Sequence, residues 1–291
     1  MQDTDAVPLL GELQLGVAGR GDLRWAVADV TGPLEAIRQS LDLSPVAAVA
    51  LGRALAAAVL VQRFSTKEPG LLVLEVLGDG PLGKIVAEVD GRGRLRGLVG
   101  EPLLADRGDG ETLAIGWAVG KGRLRITQET GRGRYSSQVE LVSGELGKDL
   151  VHFLEQSQQI HSAALLGVLP QPEGIGGAGG LLIEAFPGVD ESTLRQLEAN
   201  IAAIDGVSSY LAAGGLATLR DAVLMGLDRE DLERHSLLYA CRCRRENLLG
   251  PIRRMATEDL DALADADGKI SAVCAFCGTT YELDREELRV N

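Results

Sequence analysis

The chain has 291 residues, is 45% hydrophobic and carries a formal net charge of −13, which suits one large domain with a well-buried core plus smaller units. The acidity argues against a nucleic-acid partner, since phosphate binding needs concentrated Lys and Arg; the stretch 239–291 is no exception, with eight Lys/Arg against ten Asp/Glu. The N-terminal MQDTDAVPLL has neither the positive n-region nor the apolar h-region of a secretory signal, so a cytoplasmic location is expected.

Residues from about 10 to 188 read as one α+β unit. Arg24 to Val30 alternates like a strand, and Pro33 opens a short helix. Ser44-Pro45 is an N-cap followed by proline at the first helical position, and it starts a longer helix to about Arg63. That helix holds the most apolar run, Val46 to Val61. Arg53 interrupts it and alanine dominates it, so it reads as a buried helix and not a membrane span. Leu71 to Leu77, Lys84 to Val89 and Arg94 to Val99, separated by Gly78-Asp79-Gly80-Pro81 and Asp90-Gly91, read as an antiparallel meander. Ala114 to Val119, Arg123 to Gln128 and Ser137 to Val142 continue the strand pattern. A helix over about Leu146 to Gln159, a strand over Ala163 to Leu169, a glycine-rich loop from Gly174 to Gly180 and a strand over Leu181 to Phe186 complete the unit.

After Pro187, Asp190-Glu191-Ser192 caps a helix with Leu194, Leu197, Ile201 and Ile204 on one side. Gly214, Gly215 and Gly226 weaken the helical run from about 207 to 236, since each interior glycine costs roughly 1 kcal/mol. The expected organisation is an α+β core with a largely antiparallel sheet over residues 1–187, a helical linker over 188–236 and a small C-terminal zinc-binding domain over 237–291.

The cysteines carry the chemistry. There are four in the chain, Cys241-Arg-Cys243 and Cys274-Ala-Phe-Cys277, with thirty residues between the pairs. Two closely spaced pairs are what a tetrahedral thiolate zinc site needs, so one zinc ion held by Cys241, Cys243, Cys274 and Cys277 is expected. Spacing alone does not separate a permanent staple from a switch. The tight C-x-C leans toward the switch, because strained or exposed disulfides are the labile ones. Arg242, Arg244, Arg245, Arg253 and Arg254 crowd the first pair and would favour thiolate; a solvated helix face explains them equally well. In a reducing cytoplasm any disulfide would be transient.

Other motifs fail on context. Gly174-Ile-Gly176-Gly-Ala-Gly179 fits G-x-G-x-x-G, but a strand follows where a dinucleotide site needs a helix. Gly78 to Lys84 approaches a P-loop, yet Ile85 replaces the magnesium-binding hydroxyl residue and Lys84 enters a strand. Asp265-Ala-Asp267-Gly268 lacks the further ligands of a calcium loop and reads as a turn opening a strand, Lys269 to Val273, that delivers Cys274. His152, His161 and His235 have no nucleophile recognisably placed with them, so no enzyme is expected.

With these residues in place, the sequence resembles the 33-kDa chaperonin family of redox-regulated heat-shock holdases. Tyr239-Ala-Cys241-Arg-Cys243, Asp267-Gly-Lys-Ile270, Val273-Cys274-Ala-Phe276-Cys277 and Tyr281 carry the likeness. Leu51-Gly52-Arg53-Ala54-Leu55, Gly78-Asp-Gly-Pro81, Leu95-Arg96-Gly97, Gly120-Lys-Gly122 and Gly179-Gly180-Leu-Leu-Ile183 follow in the family's order. Departures are Arg244 for a usual serine, Ser157-Gln158-Gln159 for S-E-Q, and Leu283 for a usual aromatic; none touches a cysteine. The resemblance implies an ATP-independent chaperone that is off when reduced and zinc-bound. Oxidation would pair Cys241 with Cys243 and Cys274 with Cys277, eject zinc and unfold the small domain and linker. The active form, implied to be a homodimer, would bind unfolding client proteins. The competing readings are a constitutive zinc-ribbon adaptor with a structural metal and a thiol oxidoreductase using Cys274-Ala-Phe-Cys277. The latter would want its C-x-x-C at a helix N-terminus, where a turn and strand are expected.

Overall fold

The computed structural model describes residues 10–65, 70–108, 112–131, 133–159, 161–265 and 267–288. Two compact units divide between Tyr239 and Ala240. The first is built on a ten-stranded sheet of order β7-β6-β3-β4-β5-β10-β1-β2-β9-β8. The strands are β1 (Leu10–Ala18), β2 (Leu23–Asp29), β3 (Leu71–Gly78), β4 (Lys84–Val89), β5 (Arg94–Val99), β6 (Gly122–Thr130), β7 (Gly133–Glu140), β8 (Ser162–Gln171), β9 (Gly174–Ala185) and β10 (Arg229–Tyr239). Every neighbouring pair is antiparallel except β10 with β5, where Leu238 faces Arg94 and Tyr239 faces Leu95. The α+β, largely antiparallel architecture expected from the short punctuated strands is therefore the one observed.

Helices α1 (Thr31–Leu41) and α2 (Pro45–Ser65) cover one face. The Ser44 hydroxyl accepts the Ala47 N–H at 3.2 Å, the N-cap that the Ser-Pro pair announces. Among the described residues α2 is the one helix long and apolar enough to cross a membrane, and 89% of that apolar window is buried inside the fold. Its alanines at 47, 48, 50, 54 and 56–58 are almost fully enclosed, because small side chains let the helix lie close on the strands. At its C-terminal end the buried Gln62 amide donates to the carbonyls of Gly70 (2.7 Å) and Val89 (3.0 Å). α4 (Gly147–Phe153) and the π-helical turn Leu154–Gln158 close this core with Leu150, Phe153 and Leu154.

A second core lies on the opposite face of β2 and β9. Alternate residues of these strands point the other way, so Trp25, Val27, Leu181 and Ile183 meet α5 (Glu191–Ala202) and α6 (Val207–Val223) through Leu197, Val207, Leu211, Leu216, Leu219 and Val223. α6 is interrupted at Gly214 and Gly215, the latter at φ +69°, which glycine tolerates. Arg220 of α6 is buried. It donates to Gln14 Oε1 (2.8 Å) on β1, Asp231 Oδ2 (2.9 Å) on β10 and Asp221 Oδ1 (2.9 Å).

Three local expectations are corrected. Residues 115–119 form a short helix, α3 (Ile115–Val119), where a strand was expected; Ile115, Ala118 and Val119 are buried at helical spacing. The glycine-rich stretch 174–180 is no loop but the first half of β9. There the glycines make room for neighbours: a Cβ on Gly177 would lie 2.5 Å from the Ser208 carbonyl of α6. The helical run expected to reach 236 stops at Val223, and 229–239 is the strand β10. Its alternation is hidden by charge, since Arg229 to Arg234 are all exposed and burial resumes at Leu237. β1, unassigned from sequence, pairs with both β10 and β2.

Candidate metal centre

The second unit, Ala240–Asn291, contains α7 (Arg245–Ile252), α8 (Thr257–Leu263), the hairpin β11 (Lys269–Val273) with β12 (Thr280–Asp284), and α9 (Arg285–Leu288). Its apolar core is small: Leu260, Ile270, Leu283 and Leu288 are buried, with Leu249, Ile252, Ala264 and Ala272 packed against them. Leu283, where the family usually has an aromatic, is fully enclosed in this cluster. The Asp265 carboxylate accepts the Asp267 and Lys269 N–H groups, both at 2.9 Å, and Gly268 takes φ +74°. The Asp-Gly segment is thus the turn that opens β11.

Cys274 and Cys277 sit on the turn joining β11 to β12. The Cys274 carbonyl accepts the N–H of Gly278 (2.8 Å) and of Cys277 (3.3 Å), and the Cys274 N–H donates to Thr279 O (2.9 Å). Gly278 reverses the chain at φ +68°. This fold-back directs both thiols to one side. Cys241 and Cys243 come from the extended segment just before α7. All four Sγ atoms lie within 4.8 Å of one another, with Cys241 to Cys274 at 3.8 Å and Cys243 to Cys277 at 3.4 Å. A tetrahedral ion with Zn–S near 2.3 Å needs sulfur–sulfur edges of about 3.8 Å. Four thiols gathered at this scale are the donor set such an ion takes. The three histidines all belong to the first unit, and among the described residues the four cysteines form the only group of His, Cys, Asp or Glu placed to hold a metal.

The thiols are not equivalent when no metal balances them. Burial pushes Cys241 up to about 12, with hydrogen bonds from its neighbouring sulfurs adding to the shift. Burial likewise raises Cys274. Burial opposes ionisation of Cys277 too, but hydrogen bonds from the Thr279 hydroxyl and N–H, and from Cys243 and Cys241, outweigh it and bring the thiol down to about 7. Thr279 Oγ1 is 3.2 Å from that sulfur. The Tyr281 hydroxyl lies 3.1 Å from Cys243 Sγ, and this hydrogen bond is the main cause that raises the phenol to about 12. Cys277 therefore ionises ahead of Cys241 and Cys274, whose ionisation a bound cation would favour.

The cysteines group as their spacing predicts. The sulfur contacts of Thr279 and Tyr281 were not foreseen. Tyr281 stands out in the sequence as a motif residue, and alternation along β12 would have placed it on the thiol side. Of the crowding arginines, Arg244 occupies the N-cap position of α7 without a side-chain cap hydrogen bond, and Arg254 Nε donates to the Gly250 carbonyl at 3.2 Å.

The sequence profile of a family described as "Hsp33 protein" matches residues 12–284. The chain is 39% identical to a 33 kDa chaperonin of Thermus thermophilus, over 96% of this chain and 86% of that one. It is 36% identical to the 33 kDa chaperonin of Picosynechococcus sp., over 95% of each. The crystal structure of the 33 kDa chaperonin from Thermotoga maritima superposes with a TM-score of 0.85 at 27% identity, covering 95% of this chain and 96% of that one.

Proposed function

This chain belongs to the Hsp33 family and is a chaperone with a four-cysteine metal site; from that premise we propose that it is a redox-regulated, ATP-independent holdase switched by those cysteines. The carrying observation is the meeting of four sulfurs within 4.8 Å in a unit whose buried core is four aliphatic side chains. In the resting form Cys241, Cys243, Cys274 and Cys277 hold one zinc ion. When bound, the ion keeps all four as thiolates and cross-links the segment before α7 to the β11–β12 turn.

Oxidation consumes the thiolates. Two equivalents of hydrogen peroxide take four electrons from four sulfurs, pair Cys241 with Cys243 and Cys274 with Cys277, and leave four waters after uptake of four protons. No thiolate then remains to hold the metal. Structural zinc contributes an apparent ~10–16 kcal/mol in small metal-folded modules. The four buried aliphatic side chains contribute about 6–12 kcal/mol, so losing the metal removes a stabilisation comparable to theirs and the unit unfolds.

In this reading the proposed linker, 188–236, undocks with it. α6 is broken at Gly214–Gly215 and leads through β10 into the cysteine segment. Its departure uncovers Trp25, Val27, Leu181 and Ile183, an apolar face that an unfolding client can occupy. The active form is a homodimer. The setting is the cytoplasm, where reducing conditions reset the thiols. No nucleotide drives the cycle: the G-x-G-x-x-G stretch is strand β9, and Lys84 begins β4. The partners are unfolding proteins and not nucleic acid or membrane.

The test is the aggregation of a heat-denatured client with reduced protein, with peroxide-treated protein, and with Cys274→Ser. The variant lacks one required thiolate, binds zinc weakly and protects with less dependence on oxidant. A constitutive zinc-ribbon adaptor would lose its metal and aggregate, with no gain of protection.

A further inference from the structure

The β11–β12 hairpin brings more than two cysteines to the cluster. Ala272 of β11 faces Tyr281 of β12. Side chains alternate along β12, so Tyr281 shares a face with Leu283. Leu283 enters the small core, while Tyr281, one same-face position nearer the turn, reaches the sulfurs. Its hydroxyl lies 3.1 Å from Cys243 Sγ, a partner 38 residues away along the chain. The contact therefore ties the hairpin to the segment before α7. Thr279 Oγ1, 3.2 Å from Cys277 Sγ, is a local contact made two residues apart.

The direction of the Tyr281 bond follows from the state of the sulfur. A thiolate has no proton to give. With the four cysteines ionised, as a metal requires, the phenol is the donor and Cys243 Sγ the acceptor. A hydrogen bond to an ionised acceptor is one of the strong ones, and outer partners of this kind tune metal ligands. It draws on the same lone pairs that an electrophile must engage, so part of its strength is lost when the sulfur forms a new bond. Cys243 is thereby slowed as a nucleophile while the ligand set is unchanged. The placement is apt. Cys274 is buried, whereas Cys243 is half-buried and within reach of a small oxidant. Burial guards the one sulfur and the phenol guards the other.

We propose that Tyr281 is a positioning residue of the switch: its hydroxyl donates to Cys243 Sγ, restrains that sulfur as a nucleophile and so sets how much oxidant the cluster withstands before Cys243 reacts. The inference rests on the metal-holding thiolates of the function proposed above. The step it slows is attack of the Cys243 thiolate on hydrogen peroxide. An S–O bond forms, the O–O bond breaks, the sulfur loses two electrons to the peroxide, and hydroxide leaves. A second thiolate, Cys241 in the proposed pairing, then displaces hydroxide from the sulfenic acid and closes the disulfide.

The experiment compares the full reduced, zinc-loaded chain with Tyr281→Phe, which keeps the ring and removes the donor. Iodoacetamide alkylates a thiolate by displacing iodide and needs no oxidant; peptide mass mapping reads each cysteine separately. Cys243 of the variant is expected to react about 3- to 30-fold faster, a fraction of the full strength of a hydrogen bond to a charged group, with smaller changes at the other three. Thr279→Val is the converse arm and moves the gain to Cys277; a gain at Cys243 there would count against the proposal. Cobalt in place of zinc gives a second readout. With the donor gone, the sulfur-to-cobalt charge-transfer absorption moves to lower energy. Unchanged alkylation of Cys243 overturns the proposal, as does an equal gain at all four sulfurs, which loosened packing would give. So does a cobalt band that stays in place, or a variant that no longer holds one metal ion per chain, since the phenol would then be a structural support. A peroxide titration completes the test: Tyr281→Phe should release zinc at lower peroxide than the parent, and an equal midpoint overturns the threshold. Client light scattering of the parent scores the holdase reading separately. A parent that loses zinc without protecting the client defeats that reading and leaves the alkylation result intact.

Discussion

Gly177→Val would test whether α6 is the removable cover of a binding face. Gly177 lies in β9 under the first half of α6, and its strand backbone accepts a β-branched side chain. The added Cβ would sit 2.5 Å from Ser208 O, 3.0 Å from Ala212 N and 3.3 Å from Leu211 Cβ. The contacting atoms nearest to it are backbone, so the helix must rise by roughly 1 Å, an overpacking that costs about 1–3 kcal/mol. Val207 and Leu211 anchor this half ahead of the Gly214–Gly215 break, at about 1.5–3 kcal/mol each. The strain is smaller than the anchorage. The variant should therefore fold with α6 seated, while the undocked population rises roughly 5- to 150-fold. Hydrogen exchange of 207–223 reads the undocking, and light scattering of a heat-denatured client reads activity, both in zinc-loaded reduced protein. Faster exchange with partial protection of the client is expected. Faster exchange with no protection would refute the claim that the face under α6 receives clients. Unchanged exchange would refute the packing argument itself.

Arg220→Met removes the hydrogen bonds that tie α6 to Gln14 of β1 and Asp231 of β10, together with one to its own neighbour Asp221. Asp221 and Asp231 are about half exposed and regain water, so the loss should be about 1–3 kcal/mol, read by denaturant melting of the zinc-loaded protein, with activation at milder oxidation. Zinc uptake near pH 8 should release at least two protons per ion, because Cys241 and Cys274 are held protonated in the metal-free cluster. Below pH 7 Cys277 takes up its proton as well, so affinity falls more steeply with acid; calorimetry in buffers of different ionisation enthalpy measures both. Disulfide mapping of oxidised protein should find Cys241 with Cys243 and Cys274 with Cys277. The resting contacts also bring Cys241 to Cys274 and Cys243 to Cys277, so recovery of those cross-links would contradict the proposed pairing.

Much of the first unit is legible because its signals are local. Ser44-Pro45, the alanine-rich run of α2 and the Gly-Asp-Gly-Pro turn each specify their own conformation through capping, small-residue packing or φ. Three places are not legible, and in each a tertiary contact overrides the local pattern. The glycines of 174–180 look like a loop, but they are strand residues thinned to admit α6. Ala114 to Val119 has strand-like composition, but burial of Ile115, Ala118 and Val119 selects a helical turn. The first part of β10 is dominated by Arg229, Glu230, Asp231, Glu233 and Arg234, so its strand character rests on pairing with β1 rather than on apolar alternation. The metal centre was readable because paired cysteines at short spacing have few other uses. The inequality of the four thiols was not, since it arises from burial and from Thr279 and Tyr281, which the folded hairpin brings to the sulfurs.

The central claim is that metal loss and chaperone activity are one event. The most direct measurement follows both in a single sample: a chromophoric zinc indicator and the light scattering of a heat-denatured client, during a peroxide titration of the reduced protein. The account predicts that about one zinc per chain is released and that client protection rises in proportion to it. Full zinc release with the client aggregating as fast as in its absence would contradict the switch, even with all four cysteines confirmed as ligands.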